Sequence, residues 1–514
     1  MKPRAQWYLS VLGGILLLAG GCSGSGSAGI SLSFASQQQA LPGQVGLPAD
    51  LASLQVSVRD GDLHGILLGQ SQCLDVSSQE QRQSLTVDIT AGTGLTIVVE
   101  GYQQAGCPAG KAPTWMGATT GVDIVAGQHT EVAVFVTRRG GTLNFTRGEL
   151  TPALAFASAT VLADGRVLIA GGFEQISDVA GGVELTASSR AFLYDPATAS
   201  FLPTGSLSSA RGGHDAVLLV DGRVLLVGGC QQLDILYDGS GYFRLTPSLL
   251  PATADIYDPQ SGAFSPVGPD PLLARFQPAV VASAGNQVIL AGGRTELARS
   301  DEVIVGVADG NGFDWSRLSE GLSEKRRGAR AVLLDDDIVV VGGGEAGGEG
   351  AEAATVDSWR FMPLEQLLQD DLAVTGHALI TLPGHRAIWS GGLPETPGMP
   401  ARDYLLQLQG GNPPQLSASV VKMTHGRAYH LAASLGDGRI LLAGGLGEDF
   451  QPTGDLEIFN DQEQSLPVEG QQLACGWLGA VSANLPDGSV LLAGGLSWQQ
   501  GRLLLERNSQ VFSP

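Results

Sequence analysis

Positive charge is scarce in this chain: 29 lysines and arginines stand against 51 acids in 514 residues, a formal charge of −22. Nucleic-acid binding depends on clustered cations that neutralise phosphate, so the balance argues against that class of partner, and the acids read as a solvated surface. Charge of either sign is sparse, at 16% of the chain. Apolar residues nevertheless make up 43%, and glycine fills 73 positions, which excludes a disordered chain and describes a turn-rich globular one of two or three domains. No apolar run reaches the roughly 18 residues of a membrane-crossing helix. Cysteine is limited to five positions.

The first 22 residues read as an export signal, with Lys2 and Arg4 ahead of the short apolar run Val11 to Leu18. The run ends Leu18-Ala19-Gly20-Gly21-Cys22, which resembles a bacterial lipoprotein signal, although Ala19 stands where that pattern prefers leucine. The resemblance implies acylation of Cys22 and anchoring in the membrane of a bacterial envelope. Ser23, in place of the aspartate of inner-membrane lipoproteins, implies the outer membrane, on its periplasmic or its outward side. Gly, Ser and Ala over 23–29 fit a flexible tether behind the anchor. An exported chain can oxidise its thiols, and Cys73 and Cys107 share one domain and are expected to pair, worth roughly 3–4 kcal/mol. Cys230 and Cys475 fall on one face of the second domain in different repeat units, which gives no reason to pair them.

Residues 30–138 carry short alternating strands: Ile30–Phe34, Leu54–Arg59, Leu85–Ile89, Leu95–Glu100, Val122–Val125 and Glu131–Thr137. Turns such as Ala91-Gly92-Thr93-Gly94 separate them, a pattern that predicts a small antiparallel sandwich. The final hairpin, around Ala126-Gly127-Gln128, resembles that of immunoglobulin-like or transthyretin-like exported modules. His64 and His129 stand isolated and read as surface histidines.

From residue 139 onward one hairpin recurs seven times: apolar strand, polar turn, apolar strand, glycine pair. The pairs are Gly171-Gly172, Gly228-Gly229, Gly292-Gly293, Gly342-Gly343, Gly391-Gly392, Gly444-Gly445 and Gly494-Gly495, starting 57, 64, 50, 49, 53 and 50 residues apart. Runs such as Val224-Leu225-Leu226-Val227 fit strands buried on both faces, and Asp221-Gly222 or Asp487-Gly488 fit two-residue hairpin turns with positive φ. A period near 50 residues of this composition predicts a seven-bladed β-propeller over 139–514, behind the sandwich. The chain reaches Gln510–Pro514 at the third strand of blade seven, and Thr142–Thr146 lies free ahead of blade one. That segment is therefore expected to supply the missing outer strand and close the ring.

The series Arg211-Gly212-Gly213-His214, Asp221-Gly222, Gly228-Gly229, Ile256-Tyr257-Asp258-Pro259 and Phe264 resembles a kelch repeat of the bacterial, galactose-oxidase-like type. Residues 427–461 match again through Arg427, His430, Gly444-Gly445 and Phe459. The resemblance implies a binding or scaffold module for a protein or glycan. A carbohydrate-active enzyme, of the sugar-oxidase or sialic-acid-mutarotase kind, is the alternative. The cysteines lack the tyrosine and histidine context of the copper oxidases, so no catalytic residue, cofactor or metal is assigned.

Fourteen residues before the glycine pairs stand Ala157, His214, Pro278, Gly328, His377, His430 and Ala480. The histidines offer either a metal set or internal hydrogen bonding, and the absence of a nearby Cys, Asp or Glu favours the latter. Three residues earlier stand Leu154, Arg211, Arg275, Lys325, Val374, Arg427 and Trp477. Arg211, Arg275, Lys325 and Arg427 could form a basic mouth for an anionic group or bond local carbonyls and carboxylates. The same face carries the long loops 173–189 and 230–253, where Tyr237, Tyr242 and Phe243 are candidate contacts for the ligand.

Overall fold

The computed structural model describes residues 25–34, 47–63, 65–76, 84–237, 243–283, 285, 287–310, 312–334, 338–344, 350–356, 358–363, 374–394, 398–409, 417–435, 438–460, 464–474, 476 and 478–514. Cys22, His64, Tyr242, Cys475 and Trp477 lie outside them. No described helix is long and apolar enough to cross a membrane.

The N-terminal unit contains β1 (Ser25–Phe34), β2 (Ser53–Arg59), β3 (Gln72–Asp75), β4 (Ser84–Thr90), β5 (Gly92–Tyr102), β6 (Trp115–Ile124) and β7 (His129–Arg138). Their order is β3-β2-β5-β6-β7-β1-β4. The sheet folds back on itself between β6 and β7, which pair only at Trp115–Arg138 and Met116–Thr137. The two halves thus form the layers of a sandwich, and alternate residues of both meet in one core: Ile30, Leu32 and Phe34 with Val56, Ile97, Val99, Val132 and Val134. Cys73 and Cys107 are joined by a disulfide with Cα atoms 5.9 Å apart. Ser25–Gly29 does not behave as the expected tether. It pairs with β4 on one side and, from Ser27 on, with β7 on the other, because two neighbouring backbones offer the ladder that Gly-Ser composition alone cannot reveal.

The propeller has seven four-stranded antiparallel sheets. Their innermost strands are Ser158–Val161, Gly212–Leu218, Ala279–Ala282, Arg330–Leu334, Ala378–Leu382, Leu431–Ser434 and Val481–Asn484. Each lies against the next, and the seventh returns to the first. The closing strand is β8 (Thr142–Phe145), which pairs Leu143 with Phe512 and Asn144 with Val511 on the outer side of blade seven. Leu143 and Phe512 are both buried there among apolar side chains shared with blade six.

The glycine pairs clasp one blade to the next. The N–H of Gly172 donates to the Arg211 carbonyl of blade two at 2.9 Å, and Gly229 donates to Arg275 and Gly293 to Arg326 at the same distance. Gly344, Gly392 and Gly495 donate to Val374, Arg427 and Leu154 at 2.8 Å, the last bond sealing blade seven to blade one. A side chain on the first glycine would enter this seam: a Cβ on Gly171 would stand 2.5 Å from the Arg211 carbonyl oxygen.

In blade four the clasp is Gly343-Gly344, one residue later than the pair expected at 342–343; these two have the positive φ of the other pairs, at 67° and 90°. Three glycines in a row left the register open, and Gly342 belongs to the preceding strand, Ile338–Gly342. The shift moves the cation of this blade from Lys325, which is exposed, to Arg326, which is fully buried.

Candidate functional site

Four blades carry an arginine at the start of the innermost strand, and every one is consumed by its own blade. Arg211, buried, donates from Nη1 to the Gly228 carbonyl at 2.9 Å and from Nη2 to Asp255 at 3.1 Å. Arg275 does the same with Gly292 at 2.9 Å and Glu302 at 3.0 Å. Arg326 reaches Gly343 at 3.1 Å and Glu352 at 2.8 Å. Arg427 donates to Gly444 at 3.1 Å and pairs with Glu457. Burial works to raise the Glu457 carboxyl, but the Arg427 charge and the Thr424 N–H overcome it and hold its pKa below the ordinary value.

The basic mouth suggested by Arg211, Arg275 and Arg427 is therefore not present: each guanidinium is covered and neutralised by a carboxylate of the same blade. The acid follows the arginine from blade to blade. In blade one Leu154 replaces the arginine, and Phe192 takes the register position of Asp255. In blade five Val374 is matched in the same way by Leu406. Glu352 and Glu457 share the register position of Asp255, whereas in blade three Ile304 occupies it and Glu302, two residues earlier, supplies the acid.

The histidines bridge blades. His214 meets Ser158 of blade one at 3.0 Å through Nε2, and His430 meets Ser390 of blade five at 2.8 Å. His377 lies beside the Trp389 ring, 4.8 Å between centroids. Burial, with Arg211 nearby, drives the His214 pKa from 6.5 down to about 3; burial, with Arg330 nearby, takes His377 to about 3 as well. The unfolded chain then binds protons on these rings that the folded chain refuses, so stability falls as pH drops from 6.5 towards 3. His214→Gln should remove one proton's worth of that slope, about 1.4 kcal/mol per pH unit, which denaturant titrations at pH 7, 6 and 5 would measure.

The two long loops form a sheet of their own. Strands Phe173–Val179 and Gly182–Ala187, inserted between the second and third strands of blade one, pair with Gln232–Tyr237 and Phe243–Ser248, inserted at the same place in blade two. The inner face of this cap, with Phe173, Val183, Leu185, Leu233, Ile235 and Leu245, is buried against Phe276 of blade three, Leu446 of blade six and Leu478 and Leu496 of blade seven. Arg327 of blade four donates to the Leu245 carbonyl at 2.7 Å. The cap thus sits over the glycine-pair mouth of the ring. Tyr237 packs edge-on against Trp498 of blade seven, with centroids 5.2 Å apart, and Phe243 pairs with it through the backbone. Tyr237 therefore packs within the assembly that holds the cap down.

The outer face of the cap is mixed, with Val179, Leu236 and Arg244 in one cross-strand row and two acids in the next. Glu184 and Asp234 stand opposite one another on its two central strands, flanked by Ser177 and Thr246 on the outer two. Like charges directly across a strand pair destabilise a sheet. Beneath the cap, a cavity of about 470 Å³ runs along the ring axis and takes lining residues from all seven blades.

No family model matches the chain, and no curated protein does. Among solved structures, a fungal alcohol oxidase of the AA5 family, in complex with copper, is similar with a TM-score of 0.55 at 15% identity, over 73% of this chain and 76% of that one. At that identity the likeness bears on the fold, a propeller of the galactose-oxidase-like kelch type. Among the described residues no three His, Cys, Asp or Glu side chains gather to hold a metal, His214 and His430 are engaged with serines across blade seams, and Cys230 is buried in the apolar core under the cap.

Proposed function

We propose that the chain is a binding module whose recognition surface is the outer face of the cap, and that its partner is a protein presenting basic residues. The observation that supports this reading is the Glu184–Asp234 pair: two acids at directly opposed positions on the outer face of a sheet whose inner face packs on blades three, six and seven. A cation brought between them relieves the repulsion. A neutral glycan would be held by the same face but would leave that repulsion in place. The lipoprotein-like leader ending at Cys22 supports display on a bacterial outer membrane, with the sandwich between anchor and propeller.

Asp234→Asn should make the chain slightly more stable, by about 0.5 kcal/mol, while weakening capture of the partner from envelope extracts. Val220→Arg, on an exposed residue of blade two outside the cap, should leave capture unchanged. Equal capture by Asp234→Asn and the natural chain would sink the reading.

A further inference from the structure

Among the described residues that line the axial cavity, one arginine is not consumed. Arg330 is the first residue of the innermost strand of blade four, and its side chain lines the axial cavity. It is exposed, and among the described residues its guanidinium makes no hydrogen bond or ion pair. The repeat register accounts for its position. Thirteen residues before the first glycine of each clasp stand Ser158, Asp215, Ala279, Arg330, Ala378, Leu431 and Val481, so Asp215 and Arg330 occupy the same level of the channel in blades two and four. No other charge stands at that level, and both residues line the cavity. Arg330 is close enough to Asp215 to act on it electrostatically without bonding to it. Around them the wall offers the polar groups of Ser158, Ser482, Gln277 and Thr375.

We propose that the axial channel is a binding site for a small hydroxylated carboxylate, its carboxylate held by Arg330 and its hydroxyls by Asp215 and the neighbouring polar side chains. A guanidinium presents paired N–H donors that match a carboxylate, and a free one inside a cavity is the feature that selects an anion on a chain otherwise so acidic. Asp215 lines the same space of about 470 Å³, separated from Arg330 by one blade around the ring; the space is within the range of small-molecule sites, and the Asp215 carboxylate accepts hydroxyl donors. The cap covers the mouth on the glycine-pair side, and the sandwich lies beside the hairpin turns of blades six and seven on the other face. This site is separate from the outer face of the cap, and either proposal can fail without the other.

Calorimetric titration of the detergent-solubilised full chain with potassium glucuronate, with glucose and with inorganic phosphate tests the proposal. Glucuronate is expected to bind at one site per chain, with glucose and phosphate at least tenfold weaker. Arg330→Ala and Arg330→Gln should each weaken glucuronate at least tenfold, and because Arg330 is exposed and unbonded the unfolding midpoint of the free chain should not move. Asp215→Asn should weaken glucuronate yet strengthen acetate, which has no hydroxyls to lose and one repelling charge fewer to face. Phosphate binding in the absence of glucuronate binding, no binding of any of these anions, or glucuronate affinity within twofold of the natural chain in both Arg330 variants would overturn it.

Discussion

Arg211→Ala is expected to destabilise the chain by about 3–5 kcal/mol, because it leaves Asp255 buried without its counter-charge and the Gly228 carbonyl without its donor. Both partners are fully buried, so no solvent rearrangement softens the loss. The double variant Arg211→Leu, Asp255→Phe should recover most of it. Blade one already performs that experiment within the same molecule, with Leu154 and Phe192 at these two positions, both buried. Replacing a buried ion pair by well-packed apolar groups is often neutral, whereas breaking one is not. Denaturant midpoints of the two single variants and the double one would settle the matter. If the double variant is no more stable than Arg211→Ala, the arginines contribute something beyond their pairing.

Gly171→Ala should cost a comparable amount, at least about 3 kcal/mol, and is expected to reduce the yield of folded ring. Its φ of 62° is strained for any side chain, and the added Cβ would meet the Arg211 carbonyl oxygen at 2.5 Å and the His214 ring at 2.7 Å. Both obstacles belong to the next blade, so relief requires the seam to open. Gly222→Ala is the matched comparison: its φ is 83°, but nothing lies within 4 Å, so only the backbone strain of about 1 kcal/mol should appear. Thermal unfolding of the two variants separates the cost of conformation from the cost of the seam. Similar midpoints would mean that the clasp tolerates separation.

This contrast also explains what the sequence could and could not reveal. The glycine pairs were legible because the seam excludes every side chain, so the constraint shows directly as residue type. The fate of the arginines was not, since a guanidinium in an acidic chain looks the same whether it faces a ligand or a buried carboxylate; only the position of Asp255, Glu302, Glu352 and Glu457 separates the two. Blade four misled the register because Gly342, Gly343 and Gly344 all satisfy the motif and only the last two have the clasp conformation. The cap was hidden for another reason. Its central pairing joins residues 182–186 to 232–236 across the outer half of blade one and the inner half of blade two, and neither segment shows in isolation what it will pair with. Arg330 escaped notice through the same one-residue slip, which placed it out of line with Asp215.

The pairing of β8 with the far end of the propeller also has a consequence in time. Asn144 meets Val511 across 367 residues of chain. At a synthesis rate of about 5–20 residues per second, β8 waits roughly 20–70 s for its partner strand to exist. Throughout that interval six blades can form, yet the first and seventh cannot meet, and β8 must be kept from pairing elsewhere. The sandwich directly upstream, complete long before, holds one end of β8 through Arg138, whose N–H donates to the Asn144 side chain. The early domain thus acts as a keeper for the strand that finishes the ring.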